Sequence, residues 1–275
     1  MIRRMNNEDS PQAEAMWRDI FEESPAFASY YFEKRFRPEH AFGAFDGDML
    51  VAMVHGRPTE IMIDGKPYPA LLVAGVSTLP AYRKQGLMHK LMSLLIEHAK
   101  SSGFSCCYLH PVTESLYASL GFKNGADALI AHSDEARAHE LFDLSERFDA
   151  DDMLFIYHEM QKTHDGMQVR DENELMTVFA DYATEQAKTL IAYDGRPVGY
   201  ICWSDAGSVF ELMALSASAY AFLLDEAAKR AGKEIKAIVP IDCGLPGKRV
   251  YSMQYLVFDD AFQLPLKNGF CRLAY

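Results

Sequence analysis

The sequence predicts an α/β protein of mixed (α+β) central sheets flanked by helices, arranged as two successive units over residues 1–130 and 131–275. Three observations predict it. The apolar run Leu71–Val76 leads through a short loop into an amphipathic helical pattern and then a second apolar run, Phe104–Leu109. A strand–helix–strand unit of that length implies a parallel pair. Ahead of it, Asp46-Gly47 and Asp64-Gly65 separate apolar runs as hairpin turns, which implies antiparallel strands. The stretch AFGAFDGDMLVAMV from Ala41 then has a counterpart in TLIAYDGRPVGYIC from Thr189, with Gly47 and Gly195 148 residues apart. A chain of 275 residues, 49% hydrophobic, is long enough for two cores.

Taken in order, Ile2–Met5 reads as a short strand. Asp9-Ser10-Pro11 reads as a helix start, with Ser10 as N-cap and Pro11 at the first helical position. This helix extends to about Glu23, with Ala13, Met16, Trp17, Ile20 and Phe21 on one face. After Ser24-Pro25, a second helix, Phe27–Phe36, carries Tyr30 and Tyr31 as packing residues. Strands follow at Ala41–Phe45, Met49–His55 and Glu60–Ile63, and from Pro67 into the run Leu71–Val76. Leu87, Leu91, Leu94, Leu95 and His98 recur at helical spacing, and Gly103 closes that helix. Ser115–Leu120 reads as a short helix, and Gly121-Phe122 opens another strand. The polar stretch Ala131–Ala150 bridges the halves, and Leu141–His158 and Glu172–Ala187 read as helices. Val209–Leu215, Tyr220–Ala231 and Lys233–Ile241 then repeat strand, helix and strand.

The charge balance narrows the function. A formal net charge of −12 and a pI near 5.2 argue against nucleic acid or an anionic membrane as partner, since either wants a basic face. A cationic small molecule or peptide suits such a surface. The five cysteines, none in C-x-x-C spacing, suggest neither zinc nor a redox motif. Their odd number and the polar start MIRRMNNEDSPQ fit reduced thiols in the cytoplasm. No apolar run reaches membrane-spanning length. Neither a Walker loop nor a Gly-x-Ser-x-Gly elbow is present, and the histidines show no metal-ligand spacing.

The chemistry concentrates where the central strand meets its helix. Arg83, Lys84, Gln85 and Gly86 form a basic, glycine-containing turn directly before the helix. The first N–H groups of a helix lack internal partners and carry the positive end of its dipole, so such a turn binds anions. In the second half Ser216, Ala217, Ser218 and Ala219 stand in that place without basic residues. That half is therefore expected to be degenerate. Glu60 and Glu114 are candidate bases.

The turn resembles the signature of the GCN5-related N-acetyltransferases, the GNAT superfamily, where Arg/Gln-x-x-Gly-x-Gly/Ala grips the pyrophosphate of acetyl-CoA. Arg83, Gly86 and Met88 stand at the three motif positions, Met88 departing from the usual small residue. Tyr-x-x-x-Gly-Phe, Tyr117 to Phe122, resembles the second signature, and Tyr117 lies 31 residues beyond Gly86. LPAYRKQGLMHKLM, Leu109 with Pro111, and LYASLGF together resemble the Eis-type acetyltransferases over about residues 40–125. Eis-type proteins carry two tandem GNAT-like domains, the second binding no CoA, and usually a sterol-carrier-like domain. The roughly 35 residues after Ile241 leave no expected room for that third domain.

The resemblance implies a tandem GNAT protein with acetyl-CoA as co-substrate, a primary amine as acceptor and no metal. It implies that Gln85, Gly86, Leu87 and Met88, with Arg83 and Lys84, hold the pyrophosphate. Val76, Ser77 and Thr78 meet the pantetheine arm. Tyr117 protonates the leaving thiolate, and the terminal carboxylate of Tyr275 acts in proton transfer. Two other functions fit the sequence: an acyl-CoA-binding or regulatory module without turnover, and a scaffold whose turn binds another phosphate ligand. Homo-oligomerisation is compatible with all three.

Overall fold

The computed structural model describes residues 1–21, 24–113, 115–137 and 140–271. Two mixed α/β layers result. The larger sheet has eight strands: β1 (Ile2–Arg4), β2 (Ala41–Asp46), β3 (Met49–Ile63), β4 (Lys66–Thr78), β5 (Cys106–Leu109), β12 (Gly247–Val257), β6 (Lys123–His132) and β11 (Lys236–Pro240), in that spatial order. The smaller has the order β10 (Val209–Ala214), β9 (Pro197–Trp203), β8 (Lys188–Tyr193) and β7 (Asp143–Ser145). The helices are α1 (Ser10–Phe21), α2 (Pro25–Lys34), α3 (Leu87–Ser101), α4 (Ala150–Gln161), α5 (Glu172–Thr184) and α6 (Ala217–Ala231).

Most elements form where the sequence places them, and the exceptions have identifiable causes. The cap ahead of α1 is Asn6 rather than Ser10: Asn6 and Asp9 bond each other's backbone N–H groups around a single 3-10 turn that runs into the helix. Ser24 caps α2 through the Phe27 N–H, with Pro25 at its first position. Met49–His55 and Glu60–Ile63 belong to one 15-residue strand. Pro58 does not break it, because Met62 N–H and the Glu60 carbonyl bond to Met167 and Val169, away from β4. Pro58 shares that parity, so its missing N–H falls on the outer side of β3, beyond Ala41–His55, where the β2 pairing begins. The helix expected from Leu141 starts only at Ala150, with Asp149 as its cap, and residues 143–145 form β7 instead.

Besides β7, a second strand escaped the sequence reading. β12 runs antiparallel to both neighbours, pairing Gln254 with Leu109 of β5 and Lys248 with Ile130 of β6. The larger sheet thus takes strands from both sides of residue 130. Its register on β6 shifts between Tyr251 and Met253, which leaves Ser252 without an opposite residue there. The core divides accordingly. Leu71, Val73, Leu91, Met92, Leu95 and Cys107 pack α3 against one face. Trp17, Tyr31, Met53 and Ala74 pack α1 and α2 against the other. Leu190, Ile201, Leu212 and Leu223 lie in the core of the second half.

Candidate active site

The site begins with a parting of strands. β4 and β5 are parallel and pair at Ala70–Cys106, Leu71–Cys107 and Leu72–Tyr108. Beyond Leu72, β4 is paired with β3, through Ala74–His55 and Ser77–Met53, with a register shift between these pairs. Gly75 sits in that irregularity with φ +59°. A side chain there would meet Trp17 Cζ3 at 2.8 Å and His55 Nδ1 at 2.9 Å, so the position requires glycine on both counts. The parted strands leave a cavity of about 210 Å³ lined by Val73 to Val76 of β4, Leu109 and His110 at the end of β5, Val112, Tyr117, and Trp17 and Phe21 of α1.

Of the residues read from the sequence, the structure brings Val76 and Tyr117 into this cavity. Tyr117 is 4% exposed, and it precedes a 3-10 turn, Ala118–Leu120, rather than lying in an α-helix. Burial raises its pKa above the ordinary phenol value. Ser77 and Thr78 continue β4, with the Ser77 hydroxyl buried. Arg83, Lys84, Gln85 and Gly86 form an exposed turn at the end of the same strand. Lys84 and Gly86 both take left-handed backbone conformations, φ +62° and +73°. The Arg83 Nε donates to the Thr78 carbonyl at 3.1 Å, which ties the turn back to β4. Leu87 and Met88 open α3 and pack against its core while their N–H groups face the turn's side of the helix start. The Lys90 N–H bonds the Gly86 carbonyl, so the N–H groups of Leu87 to His89 precede the helical ladder. Nothing lies within 4 Å of a Cβ built on Gly86, so the approach to these groups is open.

Other expected residues fall elsewhere. Glu60 is on β3, beside Arg57, Gln168, Asp171 and Glu174 in a separate cavity of about 350 Å³. It does not line the opening between β4 and β5. Glu114 and Tyr275 lie outside the described residues.

His110 and Trp17 line the cavity and His55 lies behind it, none of them having been singled out for it. His55 is 2% exposed, stacked on Trp17 with ring centroids 5.6 Å apart, and neither ring nitrogen has a hydrogen-bond partner among the described residues. Burial lowers its pKa to about 3, so its ring is neutral. His110 lines the cavity and bonds the Ser252 carbonyl through Nδ1 at 2.7 Å. The sequence signal for both was position: one follows β5 immediately, and the other stands on β3 opposite the irregularity of β4.

The second half has an irregularity of its own, next to a cavity lined by Cys202 and Trp203. The register between β9 and β10 also shifts, between Val209 and Glu211. There the Glu211 carboxylate is fully buried and accepts from Arg170 at 2.7 Å, Tyr200 at 2.9 Å and Tyr182 at 3.1 Å. The Arg170 guanidinium lies 4.2 Å over the ring of Tyr157. A charged side chain with its partners stands at this irregularity, whereas glycine stands at the one in β4.

The fold has counterparts among known proteins. Residues 1–125 match the family model of an acetyltransferase (GNAT) domain. No curated protein sequence matches the chain. Among solved structures, a GCN5-related N-acetyltransferase from Kribbella flavida is similar with TM-score 0.70 and 19% identity, over 94% of this chain and 72% of that one. Eis1 from Mycobacterium abscessus is similar with TM-score 0.71 and 16% identity, over 94% and 74%. The N-myristoyltransferase of Saccharomyces cerevisiae with bound myristoyl-CoA is similar with TM-score 0.61 and 8% identity, over 93% and 81%. At these identities the likeness is one of fold.

Proposed function

From the acetyltransferase (GNAT) domain of residues 1–125, we propose that the chain transfers acetyl from acetyl-CoA to a primary amine of a small molecule or peptide, by direct attack. The observation that carries this reading is that one opening and one exposed, basic helix start share a strand. The cavity behind Leu72 and the turn Arg83–Met88 lie at opposite ends of the segment Val73–Thr78. A pyrophosphate on the N–H groups of Gln85 to Met88, with Arg83 and Lys84 beside it, lets a pantetheine arm run back along Thr78, Ser77 and Val76. The thioester then enters the gap between β4 and β5.

The chemistry follows from what lines that gap. The amine attacks the thioester carbonyl, and charge gathers on its oxygen. Backbone N–H groups on the side of β4 that β5 has left are available to that oxyanion. The C–S bond then breaks, and the buried Tyr117 hydroxyl gives its proton to the sulfur. A phenol whose pKa is raised by burial stays protonated until that moment. No covalent enzyme intermediate is needed. The division at 130/131 into two tandem GNAT-like units belongs to the same reading, the second unit serving as support without CoA.

A CoA-release assay over aminoglycosides, polyamines, amino acids and lysine peptides tests it. Acetyl-CoA-dependent release with at least one amine class is expected. Calorimetric acetyl-CoA binding with no release over the whole panel would favour a non-catalytic acyl-CoA-binding module. Absence of binding would leave only a scaffold.

A further inference from the structure

Among the described residues, the one candidate base read from the sequence does not reach the cleft. Glu60 lines a different cavity, and His55 sits behind the wall of Gly75, 2% exposed. His110 is placed otherwise. It directly follows β5, lines the cavity that holds Gly75 and Tyr117, and is itself exposed.

Its orientation comes from the other end of the chain. β12 lies against β5, and its register on β6 shifts at Ser252. A bulge of this kind leaves a residue out of the ladder and re-aims its groups. The Ser252 carbonyl meets His110 Nδ1 at 2.7 Å. A carbonyl oxygen only accepts, so Nδ1 carries the hydrogen. In a neutral imidazole the second nitrogen, Nε2, is then the one with the lone pair. The bulge therefore fixes both ring direction and tautomer, as a carbonyl or carboxylate does behind a histidine base.

We propose that His110, oriented by the Ser252 carbonyl, is the general base of the transfer, taking the proton of the amine at Nε2. This rests on the acetyl-transfer reading above. The step balances. An ammonium N–H proton passes to Nε2, directly or through one water, and the lone pair it frees forms the N–C bond as the carbonyl π electrons move to oxygen. The electron pair returns from oxygen as the C–S bond breaks, and Tyr117 protonates the sulfur. The nitrogen loses its second proton to solvent, from which Tyr117 regains one, and the imidazolium releases its proton to solvent.

The test uses an acceptor that needs no base. Hydroxylamine is already uncharged at neutral pH, whereas a lysine-type amine, with a pKa of about 10.4, is almost wholly protonated. His110→Asn retains an amide N–H for the Ser252 carbonyl and removes the proton acceptor. With the full chain, kcat/KM for a lysine peptide should fall about 10²-fold or more. The value for hydroxylamine should stay within about threefold, and calorimetric acetyl-CoA affinity should be unchanged. His110→Gln should show the same split, and melting temperatures establish that both variants fold. An equal loss for both acceptors would make His110 a packing residue, and no loss for either would place the base elsewhere. Both overturn the inference. A wild type that binds acetyl-CoA but releases no CoA with hydroxylamine or with any amine of the panel would overturn the transfer reading itself, and the inference with it.

Discussion

Leu72 of β4 lies opposite Tyr108 of β5, and this is the last pair before the two strands part. The Tyr108 hydroxyl is held at the parting point. It is 2.9 Å from Thr59 Oγ1 and accepts from Gln168 Nε2 at 2.8 Å. The parting is thus a pinned feature of the sheet, and substitutions around it have definite expected effects.

Tyr117→Phe keeps the ring, which packs with Phe122 at 5.9 Å between centroids, and removes only the hydroxyl. Acetyl-CoA binding should be nearly normal, while kcat should fall by about 10²-fold or more. A kcat within about threefold of wild type would make Tyr117 a core residue and leave the thiolate to water.

Gly86→Glu sets a carboxylate where the pyrophosphate is expected. Steric fit is no obstacle, since the Cβ position is open. The left-handed φ of +73° costs about 1–2 kcal/mol for a residue with a side chain. The protein should fold and lose at least about tenfold in acetyl-CoA affinity by calorimetry, as like charges meet at the helix start. Gly86→Asn, which tolerates this backbone conformation, should retain most of the affinity.

Gly75→Ala should be worse for the cleft than for the turn. Its Cβ would press on Trp17 and His55 at distances below 3 Å, and φ is again positive. Loss of turnover should accompany a lowered melting temperature. Activity equal to wild type would show that the irregularity in β4 is not part of the site.

Asp181 provides a pH prediction outside the cleft. It is buried on α5 and paired with Arg35, which follows α2, while Glu174 joins Arg35 at 3.3 Å and Arg57 at 2.8 Å. Burial outweighs the pairing and raises its pKa to about 6. Between the unfolded value, about 3.9, and 6 the folded state holds a proton that the unfolded chain has lost, so stability falls as pH rises. Asp181→Asn removes this dependence. Chemical denaturation should show the variant gaining on wild type by about 2–3 kcal/mol between pH 4 and pH 7. A difference independent of pH would show that Asp181 titrates normally.

The sequence was most informative where periodicity and turn chemistry agree. The Asp-Gly hairpins, α3 with its basic turn and the first strand–helix–strand form as expected; in the second half the elements form, but β10 and β11 lie in different sheets. It was least informative where a partner is remote. β12 reads GKRVYSMQYLV, without clean alternation, because it is flanked by β5 and β6 and interrupted at Ser252. Local pattern does not reveal that its neighbours lie more than a hundred residues upstream. The same distance hid His110: its partner is the carbonyl of a residue 142 positions later. Tyr117 and the Arg83–Met88 turn were legible because each is set by its own segment. Ser10 misled because Asn6 and Asp9 make an earlier cap.

The place of β12 also sets an order of events during synthesis. β5 and β6 are both complete by His132, yet the strand that joins them begins at Gly247, after 114 intervening residues. At ribosomal speeds of about 5–20 residues per second, their facing edges wait roughly 6–23 s for it. A nascent chain of that length holds the turn Arg83–Met88 but neither the bulge carbonyl behind His110 nor the strand that closes the sheet. On the proposed reading, competence for chemistry comes only with that strand, and until then two open edges are exposed to pairing with other chains.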